Sequence, residues 1–361
     1  MSNFLVSSFS LSTAPRTAIS NIQADLQIAQ KEVTTGRFAD VGLALGVRTS
    51  QAISLRAEFE STNRLREANG LISQRFDVMQ TAMTSMAATA DAFMTSLIGN
   101  GTSTPGVSAT VQQAAAGLQQ LMAALNSSTG SRFLFSGAAT EKPPIAFQAV
   151  GGGSARTYEA NSTAKEATAD AFLAKFGFSQ SDPAVETISA ADLGDFIDTE
   201  FEDLFALAPT AGLGWANWSN ADGTPVYNVI NGESQINVSY AADAAAFRNI
   251  TKAYVMLGDL GALEMNEEAR QLLTSRAVES LSLGLSQLTT MQSEIGASQA
   301  RLDRADESLK SRSTVLNMSI TSIEEVDPYE ASTRVTNLMN LLETSYALTA
   351  RISRLSILNY L

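Results

Sequence analysis

Two groups of residues in this chain carry side chains able to do acid-base or metal chemistry. Asp303, Asp306 and Glu307 fall near one face of a helical stretch beside Arg301 and Arg304. Three carboxylates so placed could hold a cation, but interleaved charges three and four residues apart on a helix read as a solvated ion-pair face. Gly151-Gly152-Gly153 followed by Ser154 reads as a flexible turn, because no nucleophile elbow, phosphate loop or metal-ligand cluster accompanies it. The chain has no histidine and no cysteine. That removes the commonest general base and metal ligand and any thiolate or disulfide chemistry. Asp, Glu, Lys, Tyr and Ser remain, so the enzymatic alternative is a hydrolase of the central region using carboxylates. No catalytic residue, metal or cofactor is expected.

The elements that would position such groups are long helices. Leu281, Leu288, Ile295, Leu302, Leu309, Leu316 and Ile323 repeat every seven residues and so lie along one helical stripe. From 281 to 323 such a helix spans about 65 Å at 1.5 Å per residue. Near the other end Ile19, Ile22, Leu26, Ala29 and Val33 alternate at spacings of three and four. The pattern returns over Leu65, Asn69, Ile72, Phe76, Met79, Met83, Met86, Ala90, Phe93 and Leu97. A stripe this narrow needs a partner helix, and the economical solution packs the two ends of the chain on each other. The methionines are read as core filling, with adaptable packing between registers as the second reading.

The first helix is expected from about Pro15, a favourable first-turn residue, to about Val33, followed by a non-helical connector through Gly36, Gly42 and Gly46. A long helix over 50–98, a turn through Gly99 and Gly106, and a third helix with Val111, Ala114, Leu118, Leu121 and Leu125 on one face come next. Pro143-Pro144 ends helical character. The alternating segments 145–150, 156–159, 226–230 and 235–240 read as strands of a small domain. Helix resumes at about Ala244, with a break over 258–261. Asp327, Pro328 and Glu330 supply an N-cap, a first-turn proline and the third-position acid of a capping box for the last helix. Its apolar face includes Leu338, Leu341, Leu342, Leu348, Ile352, Leu355, Leu358 and Leu361.

Of the net charge of −13, residues 141–261 carry −10, with 16 Asp and Glu against 6 Lys and Arg. This describes a well-solvated outer domain and argues against nucleic acid, which selects basic surfaces. No membrane span is expected. Met1 to Ala14 is rich in Ser and Thr and lacks the basic region and apolar core of a general secretory signal.

The paired ends, the Thr35-Gly36-Arg37 connector, the run Phe133-Leu134-Phe135-Ser136-Gly137 and the ending Leu358-Asn359-Tyr360-Leu361 together resemble the flagellin superfamily. Within it the likeness is greatest to the proteins of the hook-filament junction, over residues of about 1–140 and 240–361. The resemblance implies a mainly α fold: a long antiparallel coiled-coil rod from both chain ends, with an inserted smaller mixed β or α+β domain. It implies a terminal coiled-coil domain (1–40 with 326–361) that orders on assembly, a helical rod domain (41–140 with 244–325) and an outer variable domain (141–243). Ile19, Ile22, Leu26, Val33, Leu341, Leu348, Ile352, Leu355, Leu358 and Leu361 would form the assembly interface. Phe76, Met79, Met83, Phe93, Leu288, Ile295, Leu302, Leu309 and Leu316 would pack the rod. The implied partners are further copies in a ring, a hook-side junction protein, flagellin, an export chaperone and the flagellar type III export apparatus. Flagellin itself is the alternative, from which the apolar ending and Asp40-Val41-Gly42-Leu43-Ala44 lean away. An extracellular coiled-coil adhesin or signalling rod is the alternative from another class.

Overall fold

Helices dominate the chain because its apolar residues recur at helical spacing over most of its length. The computed structural model describes residues 8–100, 104–148, 154–155, 158, 162–212, 214–232 and 234–358. Along the chain run α1 (Ser8–Thr35), the short α2 (Val41–Leu45), α3 (Thr49–Asn100) and α4 (Thr104–Leu125). Then come β1 (Ser128–Thr129), β2 (Arg132–Phe133), β3 (Phe147–Gln148), β4 (Ser154–Ala155), α5 (Thr163–Phe176) and α6 (Ala190–Phe196). The remainder is β5 (Tyr227–Val229), β6 (Gln235–Asn237), α7 (Ala245–Asp259), α8 (Glu267–Glu324) and α9 (Pro328–Leu358). The fold is therefore mainly α, with long helices from both ends and a small strand-containing insert. It divides into two compact units, one of residues up to Leu65 with those from Ser308 on, the other Arg66–Glu307.

In the 66–307 unit, α3 and α8 run antiparallel. Arg66 pairs with Asp306 at 3.1 Å, Gln299 donates to Asp77 at 2.8 Å, and Gln292 donates to the Thr84 hydroxyl at 3.1 Å. Phe76, Met79, Met83, Met86, Ala90 and Phe93 of α3 share one core with Leu281, Leu288, Ile295 and Leu302 of α8, all buried. These residues of α3 and α8 thus face inward, methionines included. Helix α4 packs on α7. Gly117 permits that approach, since a Cβ there would sit 2.5 Å from the Tyr254 ring.

The insert departs from the expected small sheet. Its strands form three separate two-stranded antiparallel ribbons, β1-β2, β3-β4 and β5-β6. The expected strand over 235–240 stops at Asn237, whose side chain accepts the Ser239 amide at 3.1 Å and turns the backbone. The strand expected at 156–159 lies almost wholly outside the described residues, as do Gly151 to Gly153. Most of the space is filled instead by α5 and α6 around a string of aromatic rings: Phe178, Phe176, Phe172, Phe196, Phe201, Phe205, Trp215, Trp218 and Tyr158. Ser162 caps α5 by accepting the Lys165 amide, and Gly177 closes it in the left-handed region at φ 83.

In the other unit, α1 lies antiparallel on α9, where Gln23 donates to the Tyr346 hydroxyl at 2.8 Å. Helix α1 begins before Pro15, which sits inside it. Proline within a helix removes one amide donor and crowds the carbonyl four residues back. The first part of α3 and the last part of α8 also pair antiparallel, with Ser313 donating to Asn63 at 3.0 Å and Arg312 3.2 Å from Glu58. Leu309, Leu316 and Ile320 are buried, while Ile323 is only half-buried. A helix of 3.6 residues per turn drifts about 20° per heptad against a strict seven-residue repeat. By the far end the inner positions have passed to Leu316, Ile320 and Glu324. Asp327 caps α9 by accepting the Tyr329 amide at 2.8 Å and the Glu330 amide at 3.4 Å, and the Glu330 carboxylate turns to Arg334 at 2.9 Å. Among the described residues no helix is long and apolar enough to cross a membrane.

Candidate assembly site

Two turns of chain meet at one end of the α1-α9 pair and fix its geometry. Helix α1 ends at Gly36, whose φ of 70 lies in the left-handed region that glycine adopts freely. The Gly36 amide still donates to the Glu32 carbonyl at 2.8 Å, and Thr35 turns its hydroxyl back to the Lys31 carbonyl. The freed chain pairs with the break between α8 and α9. Phe38 donates to the Glu324 carbonyl at 3.1 Å, Val326 donates to the Gly36 carbonyl at 3.0 Å, and Arg37 and Glu325 face each other in an antiparallel bridge. This is why the Thr35-Gly36-Arg37 connector carries a glycine at its centre.

Two buried carboxylates lock the joint. The Glu324 side chain has no exposure and accepts two hydrogen bonds from the Arg56 guanidinium, each 2.7 Å, with Arg37 3.7 Å away. Glu32, also buried, accepts Arg334 at 3.1 Å and the Ala39 amide at 3.2 Å. A carboxylate out of water holds its charge only when paired and hydrogen-bonded, and both are. Sequence reasoning missed these residues because it followed apolar stripes. Their signal was present: Glu32 and Glu324 each continue a stripe at a three- or four-residue step from Ala29 and Ile320.

Along the helices away from the joint, the expected interface residues separate into two faces. Ile19, Ile22 and Leu26 are half-buried and Ala29 fully buried in the α1-α9 seam, opposite half-buried Val335, Leu338, Leu342, Ser345 and Thr349. Val33, Leu341 and Leu348 point outward, at 43%, 51% and 57% exposure, with Ile28, Met339 and Tyr346 also exposed. Ile352, Leu355 and Leu358 lie on the last turns of α9 with side chains outside the described residues, and Leu361 lies outside them altogether. The pair therefore half-buries its own seam and keeps further apolar side chains in solvent.

Of the charged groups singled out for chemistry, Asp306, Arg301 and Arg304 are engaged structurally. Asp306 pairs with Arg66, Arg301 donates to the Gln235 carbonyl at 2.9 Å, and Arg304 donates to the Ala300 carbonyl of its own helix. Among the described residues no three side chains of metal-ligating type gather. In the insert, Lys175 bridges Asp195 and Glu200 at 2.6 and 3.0 Å, and the Asp203 carboxylate is held below its usual range by the Thr210 and Ala211 amides.

Comparison with known proteins bears on these surfaces. Residues 6–140 match the N-terminal helical region of bacterial flagellin, and residues 279–361 match its C-terminal helical region. No curated protein sequence matches the chain. Among solved structures it is similar to one from Vibrio parahaemolyticus, provisionally assigned as a flagellar hook-associated protein, with a TM-score of 0.51 and 7% identity. The match covers 77% of this chain and 97% of the other, and at that identity the likeness is one of fold.

Proposed function

The chain belongs to the flagellin superfamily, whose members are structural proteins of the flagellum and not enzymes, and we propose that it is the junction subunit between hook and filament, of the hook-associated protein 3 type. The observation that carries an assembly role is the outward exposure of Val33, Leu341 and Leu348 on a helix pair whose seam is formed by other, half-buried residues. Apolar side chains exposed together in this way mark an interaction surface. Copies join head to tail in a ring through it, an interface that uses different patches on each partner and closes by rotation. A hook-side junction protein binds one side of the ring and flagellin the other. The chain reaches that place through the flagellar type III apparatus with an export chaperone. The terminal coiled-coil domain spans 1–40 with 326–361 and gains order in the assembly, 41–140 with 244–325 form the rod, and 141–243 face outward. The choice of junction subunit over flagellin rests on the apolar connector from Asp40 to Ala44 and on the fold likeness to a hook-associated protein. Immunogold labelling of intact flagella tests it. A single band of gold at the hook tip is expected; gold along the whole filament identifies a flagellin, and no gold on flagella removes the reading.

A further inference from the structure

We propose that Arg75, Arg132 and Thr129 form a binding site for an oxydianion of the phosphate or sulfate class, where the β1-β2 ribbon meets α3. The site belongs to the 66–307 unit and is independent of the assembly role.

A two-residue turn builds one side of it. Gly130, at φ 63 in the left-handed region, and Ser131 reverse the chain, so that Thr129 and Arg132 lie directly opposite each other in the ribbon. Opposed residues of an antiparallel pair project from the same face. The ribbon is held by the Leu134 amide, which donates to the Ser127 carbonyl at 3.0 Å, and by the Phe133 amide, which donates to the Thr140 carbonyl at 2.9 Å. Helix α3 supplies the other side. Arg75 donates through Nη2 to the Leu134 carbonyl at 3.2 Å, which brings its guanidinium against the strand that carries Arg132.

Three polar groups gather there without a protein partner. The Arg75 Nε and Thr129 Oγ1 atoms are buried, and neither makes a hydrogen bond. Arg56, Arg66 and Arg334 each meet a carboxylate, whereas among the described residues neither Arg75 nor the exposed Arg132 does. Acids are not in short supply, since the chain carries 37 Asp and Glu against 24 Lys and Arg. The acid nearest along the helix, Asp77, is taken up by Gln299 of α8, which donates to it at 2.8 Å. Burial lowers the Arg75 pKa from its ordinary value, and the neighbouring Arg132 charge lowers it further. A water molecule would satisfy the Thr129 hydroxyl but leave two adjacent positive charges unmatched. An anion answers all three groups at once. Two fixed charges call for a dianion in place of a single carboxylate. Arg75 Nε and the Arg132 fork donate to separate oxygens of it, and the Thr129 hydroxyl donates to a third.

Calorimetric titration of the full-length protein with inorganic phosphate, at an ionic strength fixed with chloride, tests the site. The expected result is saturable binding that is about tenfold or more weaker in Arg132→Gln and in Arg75→Gln, since each removes charge-assisted bonds. Arg132 is exposed, so Arg132→Gln should melt with the parent in the absence of phosphate. Thr129→Val removes a buried hydroxyl, and should melt no lower than the parent without phosphate while binding it more weakly. Absence of saturable binding by the parent, or equal binding by parent and Arg132→Gln, overturns the proposal. Acetate bound as tightly as phosphate overturns it as well, because a monoanion then suffices. Competition with glycerol phosphate identifies the source of the ligand. Displacement of inorganic phosphate supports a site for a phosphate group carried on a larger molecule, and no displacement supports a site for the free ion.

Discussion

Glu324 sits at the end of an apolar ladder as a carboxylate with no solvent, held by an Arg56 that is half in water. Removing one member of such a pair leaves the other's charge unmatched, whereas replacing both by apolar groups removes the desolvation cost as well. Arg56→Ala should therefore cost about 2 kcal/mol. Glu324→Leu combined with Arg56→Met should cost clearly less than the single change, and urea unfolding of the three proteins checks the asymmetry. Neither Glu32 nor Glu324 was legible as functional, because a reading built on apolar spacing passes over a charge at a stripe position. Three phenols offer a second test. Burial pushes Tyr240 up to about 12, with Glu294 adding to it, raises Tyr254 further, and with the Asp259 carboxylate raises Tyr158. A group raised in the folded state stabilises it below the unfolded value of about 10 and loses that contribution as pH rises through the folded one. Stability should thus fall between pH of about 10 and about 12, with a late tyrosinate absorbance step coincident with unfolding. A single early step for all tyrosines would contradict the burial.

Helix α8 shows how one element carries both kinds of surface. Ile295 is fully buried in the seam and Leu283 is half-exposed on the same helix. Ile295→Ala should cost about 2–5 kcal/mol and Leu283→Ala no more than about 0.5 kcal/mol, as read by thermal unfolding. On α9 the proposed assembly role reverses the logic, because Leu341 and Leu348 stand exposed and under that proposal serve contacts outside the chain. Leu341→Asp with Leu348→Asp should leave helix content by circular dichroism unchanged and abolish incorporation into flagella. Loss of helix instead would mean that the stripe serves folding. The long helices were legible because heptad spacing encodes them directly, and the cap of α9 because Asp327 and Pro328 spell it out. Helices α5 and α6 were not. The inner face of α5 is Ala164, Thr168 and Phe172, a set with almost no apolar contrast, and its position is set by ring packing of Phe172 and Phe176 against Phe196 that no local pattern announces. The division of the assembly stripe into a seam and an outward face was also hidden, because Ile22 and Leu348 belong to the same residue class and differ only in what lies opposite them.

At the scale of the whole molecule, the two chain ends together build one of the two compact units, residues up to Leu65 with those from Ser308 on, so a cut near either terminus removes half of a helix pair. Deleting residues 352–361 should abolish incorporation into flagella while leaving the melting of the 66–307 unit within a degree or so, because none of its core residues comes from that segment; filaments that form normally would refute it. One further consequence concerns light. The chain has two tryptophans, and Trp215 and Trp218 are stacked on each other at 5.8 Å and 12° inside the insert, with Tyr158 lying flat against Trp218. Tryptophan emission therefore originates wholly from one locality, and the α1-α9 pair contributes none of it. A melt followed by tryptophan emission tracks the aromatic string alone and stays silent while the terminal helices loosen. A tryptophan introduced at Tyr346 would give those helices a signal of their own.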